Sequence, residues 1–109
     1  MRNIGQPLTD ETAEGFRLQG VAWAQADGEA RRLEKLEKII FSEIVNRSEG
    51  SVAACEHAAR ATNAYKDHCA EMVSARTKAN VLKAELDALT MAFEKWRTQQ
   101  ATRRAEMKL

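Results

Sequence analysis

Cys55, His57, His68 and Cys69 are the side-chain types that most often hold a structural zinc ion, and their clustering within fifteen residues raises that chemistry first. The spacing opposes it. On one helix Cys55 and His57 point about 200° apart, and the two pairs are separated by well over 15 Å. The two cysteines would lie about 21 Å apart on that helix, far beyond disulfide reach. No metal site and no cofactor are expected, and the thiols read as reduced. No serine, cysteine or lysine stands in a nucleophile elbow, a phosphate loop or a paired-carboxylate arrangement, and Gly15, Gly20 and Gly28 are too dispersed to cradle a phosphate. Neither catalysis nor a small-molecule substrate is therefore expected.

The second chemistry-bearing group is basic. Lys95, Arg97, Arg103, Arg104 and Lys108 are opposed only by Glu94 and Glu106, and Trp96 lies among them. An electropositive helix end carrying an aromatic plane suits phosphate backbones or acidic protein surfaces, and Trp96, Arg97, Arg103, Arg104 and Lys108 are the expected nucleic-acid or partner contacts. The competing reading is that cations near a helix C-terminus complement its dipole. Overall charge decides nothing, because 17 basic and 16 acidic residues nearly cancel. A second cluster, Arg31, Arg32, Lys35 and Lys38, is half neutralised by Glu34 and Glu37.

The elements that must position these residues are helices. Tyr65, Met72, Ala79, Leu86 and Phe93 recur every seven residues, with Ala75, Leu82, Leu89 and Trp96 between them, the pattern of a coiled-coil seam. Upstream, Phe16, Trp23, Ala26, Ala30, Leu33, Leu36, Ile40 and Ile44 form one apolar stripe. Charged residues at 30%, aromatics at 6% and one proline match long solvated helices. The expected fold is all-α, an antiparallel helical hairpin in one domain of 109 residues. Residues 1–8 read as an arm, with Thr9 or Asp10 as N-cap. The first helix covers 9–47, and Gly20 and Gly28 leave open a break near 27–28. A turn covers 48–51, with Gly50 in a left-handed conformation and Ser48 or Ser51 capping the next helix. One uninterrupted helix then runs from 52 to 107.

Pairing about that turn sets Ile44 near Cys55, Leu33 near Tyr65, Trp23 near Ala75, and Phe16 near Leu82 or Lys83. Glu34 is expected to pair with Lys38 on its own helix, Glu37 to reach out into water, and His68 to interrupt the seam as a polar residue that selects register. Beyond about Leu89 the long helix outruns its partner. Leu89, Phe93, Trp96 and Met107 are accordingly the expected interface of a homodimer, with a different partner protein as the alternative. No apolar run reaches the roughly 20 residues that cross a bilayer, and the N-terminus lacks the apolar segment of a secretory signal. No membrane association and a cytoplasmic location are the expectations.

The run Ser48-Glu49-Gly50-Ser51-Val52-Ala53, together with Glu94-Lys95-Trp96-Arg97 and the later Ala101-Thr102-Arg103-Arg104, resembles a group of small phage and prophage proteins. The similarity covers roughly residues 48 to 104. It rests on the Glu-Gly-Ser-Val-Ala turn and the closing Trp-Arg with its later Arg-Arg. Ala53, Ala54 and Cys55 stand where that group carries charged residues. The resemblance implies a non-enzymatic helical protein encoded near phage recombination and single-strand-annealing genes, hence an accessory factor in phage DNA metabolism. A small inhibitor of a host defence system or host enzyme, comparable to an anti-CRISPR protein, is the alternative.

Overall fold

The computed structural model describes residues Asp10 to Lys108, so the expected arm at 1–8 and a cap at Thr9 lie outside the described residues. The fold is an all-α helical hairpin of three helices: α1 (Asp10–Arg47), α2 (Val52–Ala61) and α3 (Asn63–Met107). The chain forms two compact units: residues 24–80, and residues up to Trp23 together with 81 onward. No helix among the described residues is long and apolar enough to cross a membrane.

The 24–80 unit holds the later part of α1, the turn, α2 and the start of α3. Its turn follows from local chemistry. Ser48 Oγ donates to the Ile44 carbonyl at 2.9 Å and closes α1, and Gly50 takes φ 118°, a conformation costly for residues with a Cβ. Ser51 then caps α2, its hydroxyl accepting from the Ala54 amide at 3.2 Å.

The expected single helix from 52 to 107 is interrupted at Thr62. Thr62 is extended (φ −71°, ψ 147°), its hydroxyl donates to the Ala59 carbonyl at 2.8 Å, and the same oxygen accepts from the Tyr65 amide at 3.2 Å. One side chain thereby closes α2 and caps α3, a competition with the helix ladder open to Ser, Thr, Asn and Asp. Glycine has the opposite outcome in α1. The helix runs unbroken through Gly15, Gly20 and Gly28, so the alternative of a break near 27–28 is not realised.

Within the 24–80 unit, Ala30, Leu33, Cys55, Ala59, His68 and Ala79 are buried. His68 Nε2 donates to the Leu33 carbonyl at 2.7 Å, so Leu33 sits against His68 where pairing about the turn placed Tyr65. Tyr65 instead donates its hydroxyl to Glu37, and its ring lies 5.7 Å from that of Phe41, over which the Arg60 guanidinium sits at 5.0 Å. Arg76 donates to Asp27 at 2.8 Å and also to Glu34. Two expectations are thereby corrected: Glu37 is a half-buried acceptor, not a solvated end, and Glu34 turns to Arg76 across the hairpin instead of to Lys38. The pairs are displaced toward the C-terminus of α3 relative to simple pairing about the turn.

The other unit joins the α1 segment up to Trp23 with the α3 segment from Val81. The Phe16 ring packs edge-on against Phe93 at 6.5 Å, not against Leu82 or Lys83. Lys83 Nζ lies 4.8 Å over Trp23, which was expected near Ala75. Gln19 donates to Glu85 at 3.0 Å beside these rings. No described residue of this unit is buried, so aromatic contact supplies its packing.

Candidate functional site

The C-terminal part of α3 brings three of the five expected contact residues onto one groove. Phe93, Arg97, Gln100 and Arg104 follow one another at threes and fours, which on a helix aligns them on one face, and Trp96 stands beside that row, three residues after Phe93 and four before Gln100. With Glu94, Thr98 and Ala101 they line a groove of about 640 Å³. Arg103 and Lys108 are exposed and are not among the lining residues.

The ring system has a fixed order. Trp96 stacks on Phe93 at 6.3 Å with 23° between planes, and Phe93 in turn holds Phe16. Both stacked residues are half-buried. Trp96 Nε1 is buried and has no hydrogen-bond partner among the described residues. An indole N–H in that state carries a cost of about 1–3 kcal/mol.

The cations differ in how far they are already engaged. Arg97 lies 5.8 Å over the Phe93 ring and 3.5 Å from Glu94, so part of its charge is answered locally. Lys95, Arg103, Arg104 and Lys108 form no ion pair among the described residues. Thr98 and Thr102 direct their hydroxyls back to carbonyls of their own helix, at 3.0 Å each, and leave the charged groups as the polar features of this end. Five cations against two carboxylates, with one carboxylate already committed, leave an electropositive helix end.

The expected dimer residues separate. Phe93 is covered by Phe16 of the same chain, Trp96 is half-buried, Leu89 is 41% exposed and Met107 is 85% exposed. The intramolecular partner therefore reaches Phe93, beyond the point near Leu89 where the long helix was expected to outrun it.

The Cys/His group is dispersed. Cys55 is buried with its thiol 3.8 Å from the Gly50 carbonyl, His57 is exposed, His68 is tied to Leu33, and Cys69 is half-buried. No cluster of three metal-ligating side chains occurs among the described residues.

Sequence reasoning missed the Tyr65 site. The Glu37 carboxylate, burial and the nearby Cys69 push the Tyr65 phenol up to about 12. The seven-residue repeat placed Tyr65 on the seam, but only the observed register places Glu37 against it. Comparison with protein-family models, with curated proteins and with solved structures finds no match to this chain.

Proposed function

We propose that this chain is a non-enzymatic nucleic-acid-binding protein, an accessory factor in phage DNA metabolism acting in the host cytoplasm through the C-terminal end of α3. The observation that carries the reading is the groove at Trp96. There Trp96, Arg97 and Arg104 line one groove, Arg104 forms no ion pair among the described residues, and Arg103 and Lys108 lie on the same helix end. Phosphate oxygens would pair with these cations, and guanidinium groups suit them in charge and geometry. Trp96 supplies an aromatic plane beside these cations, as base-stacking surfaces require. The phage setting rests on the resemblance of the turn and the Trp-Arg…Arg-Arg end.

The test is fluorescence anisotropy with a labelled single-stranded oligonucleotide across a salt series. Binding should weaken as salt rises, and the Arg103→Ala/Arg104→Ala variant should lose about tenfold in affinity and show a shallower salt slope. Its helicity by circular dichroism should be unchanged. Absence of binding, or a double variant that binds equally well, overturns the reading and favours a host protein as the target.

A further inference from the structure

Two rows at seven-residue steps face inward from the start of α3: Tyr65, Met72 and Ala79, and beside them His68 and Ala75, all buried or half-buried. Carried back through Thr62, the same steps reach Ala58 in the first row and Ala61 and Ala54 in the second. All three alanines are exposed. α2 buries Cys55 and Ala59 instead. On a helix continuous with α3 those two would point about 140° away from the inward rows, with Ala59 opposite His68. α2 therefore carries two alternative inward faces, and the break at Thr62 selects between them.

We infer that Thr62 is a two-position hinge, at which α2 can give up the burial of Cys55 and Ala59 and join α3 as one helix with Ala54, Ala58 and Ala61 inward. The backbone needs one rotation for this. Thr62 φ is −71°, already a helical value, and only its ψ of 147° departs from the roughly −42° of a helix. Residues 52–107 hold neither proline nor glycine, so nothing in the chain forbids the continuous form. The contacts of α3 with α1 stay as they are. The pairing of Leu33 with His68 and of Glu37 with Tyr65, extended back along a continuous helix, sets Ile44 near Ala58 and Arg47 near Ala54, so the turn still closes.

Small terms separate the two positions. In the observed one the Thr62 hydroxyl bonds to the Ala59 carbonyl and the Tyr65 amide, and the Arg60 guanidinium lies over Phe41. Against these, the amides of Asn63 and Ala64 have no acceptor among the described residues, and a continuous helix would offer them the carbonyls of Ala59 and Arg60. The side chains exchanged between inside and outside are small on both faces, so neither position is held by a large apolar surface. Two packings of one sequence that differ so little are the basis of a conformational switch.

The test uses the full chain carrying Cys69→Ala, which leaves Cys55 as the one thiol. Cys55 is buried in the observed position and turns outward in the other, so its rate of labelling by an aromatic disulfide reagent reads the hinge. Thr62→Ala removes the hydroxyl that caps α3 and should raise that rate about tenfold. In the same variant the amides of Asn63 and Ala64 should gain about tenfold protection from hydrogen exchange, because a continuous helix supplies their acceptors. Thr62→Ser keeps the hydroxyl and should change either reading by no more than about twofold. Adding Ala58→Glu to Thr62→Ala places a charge on the alternative inward face and should reverse both changes. A Cys55 rate that Thr62→Ala leaves unchanged overturns the hinge. So does faster labelling accompanied by weaker protection of Asn63 and Ala64, which is loosening of α2 without a second position.

Discussion

The 24–80 unit and the unit formed by the outer segments of α1 and α3 use the same hairpin partners and are held by different forces. The first has the buried residues, and polar groups lock its register: His68 on the Leu33 carbonyl, Tyr65 on Glu37, and Arg76 between Asp27 and Glu34. The second has no buried residue among those described and is joined by Phe16 on Phe93, Lys83 over Trp23, and Gln19 on Glu85. A hydrogen bond to one particular carbonyl specifies alignment to a single residue, whereas ring contacts tolerate sliding. The region with the looser form of packing carries the groove at Trp96. Contact surfaces are commonly drawn from the less stable parts of a fold.

The largest expected effect separates the units directly. Leu33→Ala removes a buried side chain against His68 and should cost about 2–4 kcal/mol, seen as a lower denaturant midpoint and faster amide exchange across 24–80. Phe93→Ala removes a half-buried ring and should cost about 1–2 kcal/mol, with faster exchange confined to the outer segments. Equal exchange effects throughout the chain would abolish the distinction between the units.

Next in size is the response to pH, which probes the polar locks of the 24–80 unit. Arg76, hydrogen-bonded to Asp27, holds that carboxyl below its ordinary value, with help from Arg31 and against the opposing effect of desolvation. A pKa lowered on folding contributes stability that is complete above the unfolded value and is lost as pH falls through the folded one. Acid should therefore weaken this link below about pH 4, and Asp27→Asn should flatten that part of the stability curve. Tyr65 has the opposite sign. Its phenol is raised to about 12, so its contribution is complete below about pH 10 and is lost as pH climbs toward that raised value. Tyr65 is the sole tyrosine, so phenolate absorbance reads its titration without interference, and Glu37→Gln should bring the midpoint down. A midpoint near 10 in the unaltered chain would show that the Glu37 contact is not maintained.

The smallest effect tests α1 in each unit separately. A methyl group placed at Gly20 or Gly28 meets no other atom within 4 Å. Gly20→Ala in the outer unit and Gly28→Ala in the 24–80 unit should each stabilise by about 0.5–1 kcal/mol, read from thermal midpoints. A loss at either site would show that the helix needs its glycine there.

Residue types and spacing were enough to identify the all-α class, α1, the turn at Gly50 and the sides of α1 and α3 that face inward, but not the division between α2 and α3. All eight residues of the first apolar stripe are buried or half-buried, and on the second stripe only Leu89 is exposed. Ser51 and Gly50 act locally, through bonds and dihedrals within a few residues, which is why their roles are readable in a linear chain. The basic character of the helix end was equally legible, since Arg97 and Arg104, seven residues apart, share a helix face beside Trp96. Thr62 left a weaker signal. A threonine hydroxyl can cap a helix or rest within one, and no proline or glycine marks the site.

What only the tertiary structure decided was register. Helical periodicity states which side of a helix is apolar but not which residue on the facing helix it meets, because sliding along a seam keeps the pattern matched. The packing within each unit resolved that choice. It brought His68 to Leu33, Glu37 to Tyr65, Arg76 to Asp27 and Phe93 to Phe16, and so determined which aromatic side chains remain for a partner.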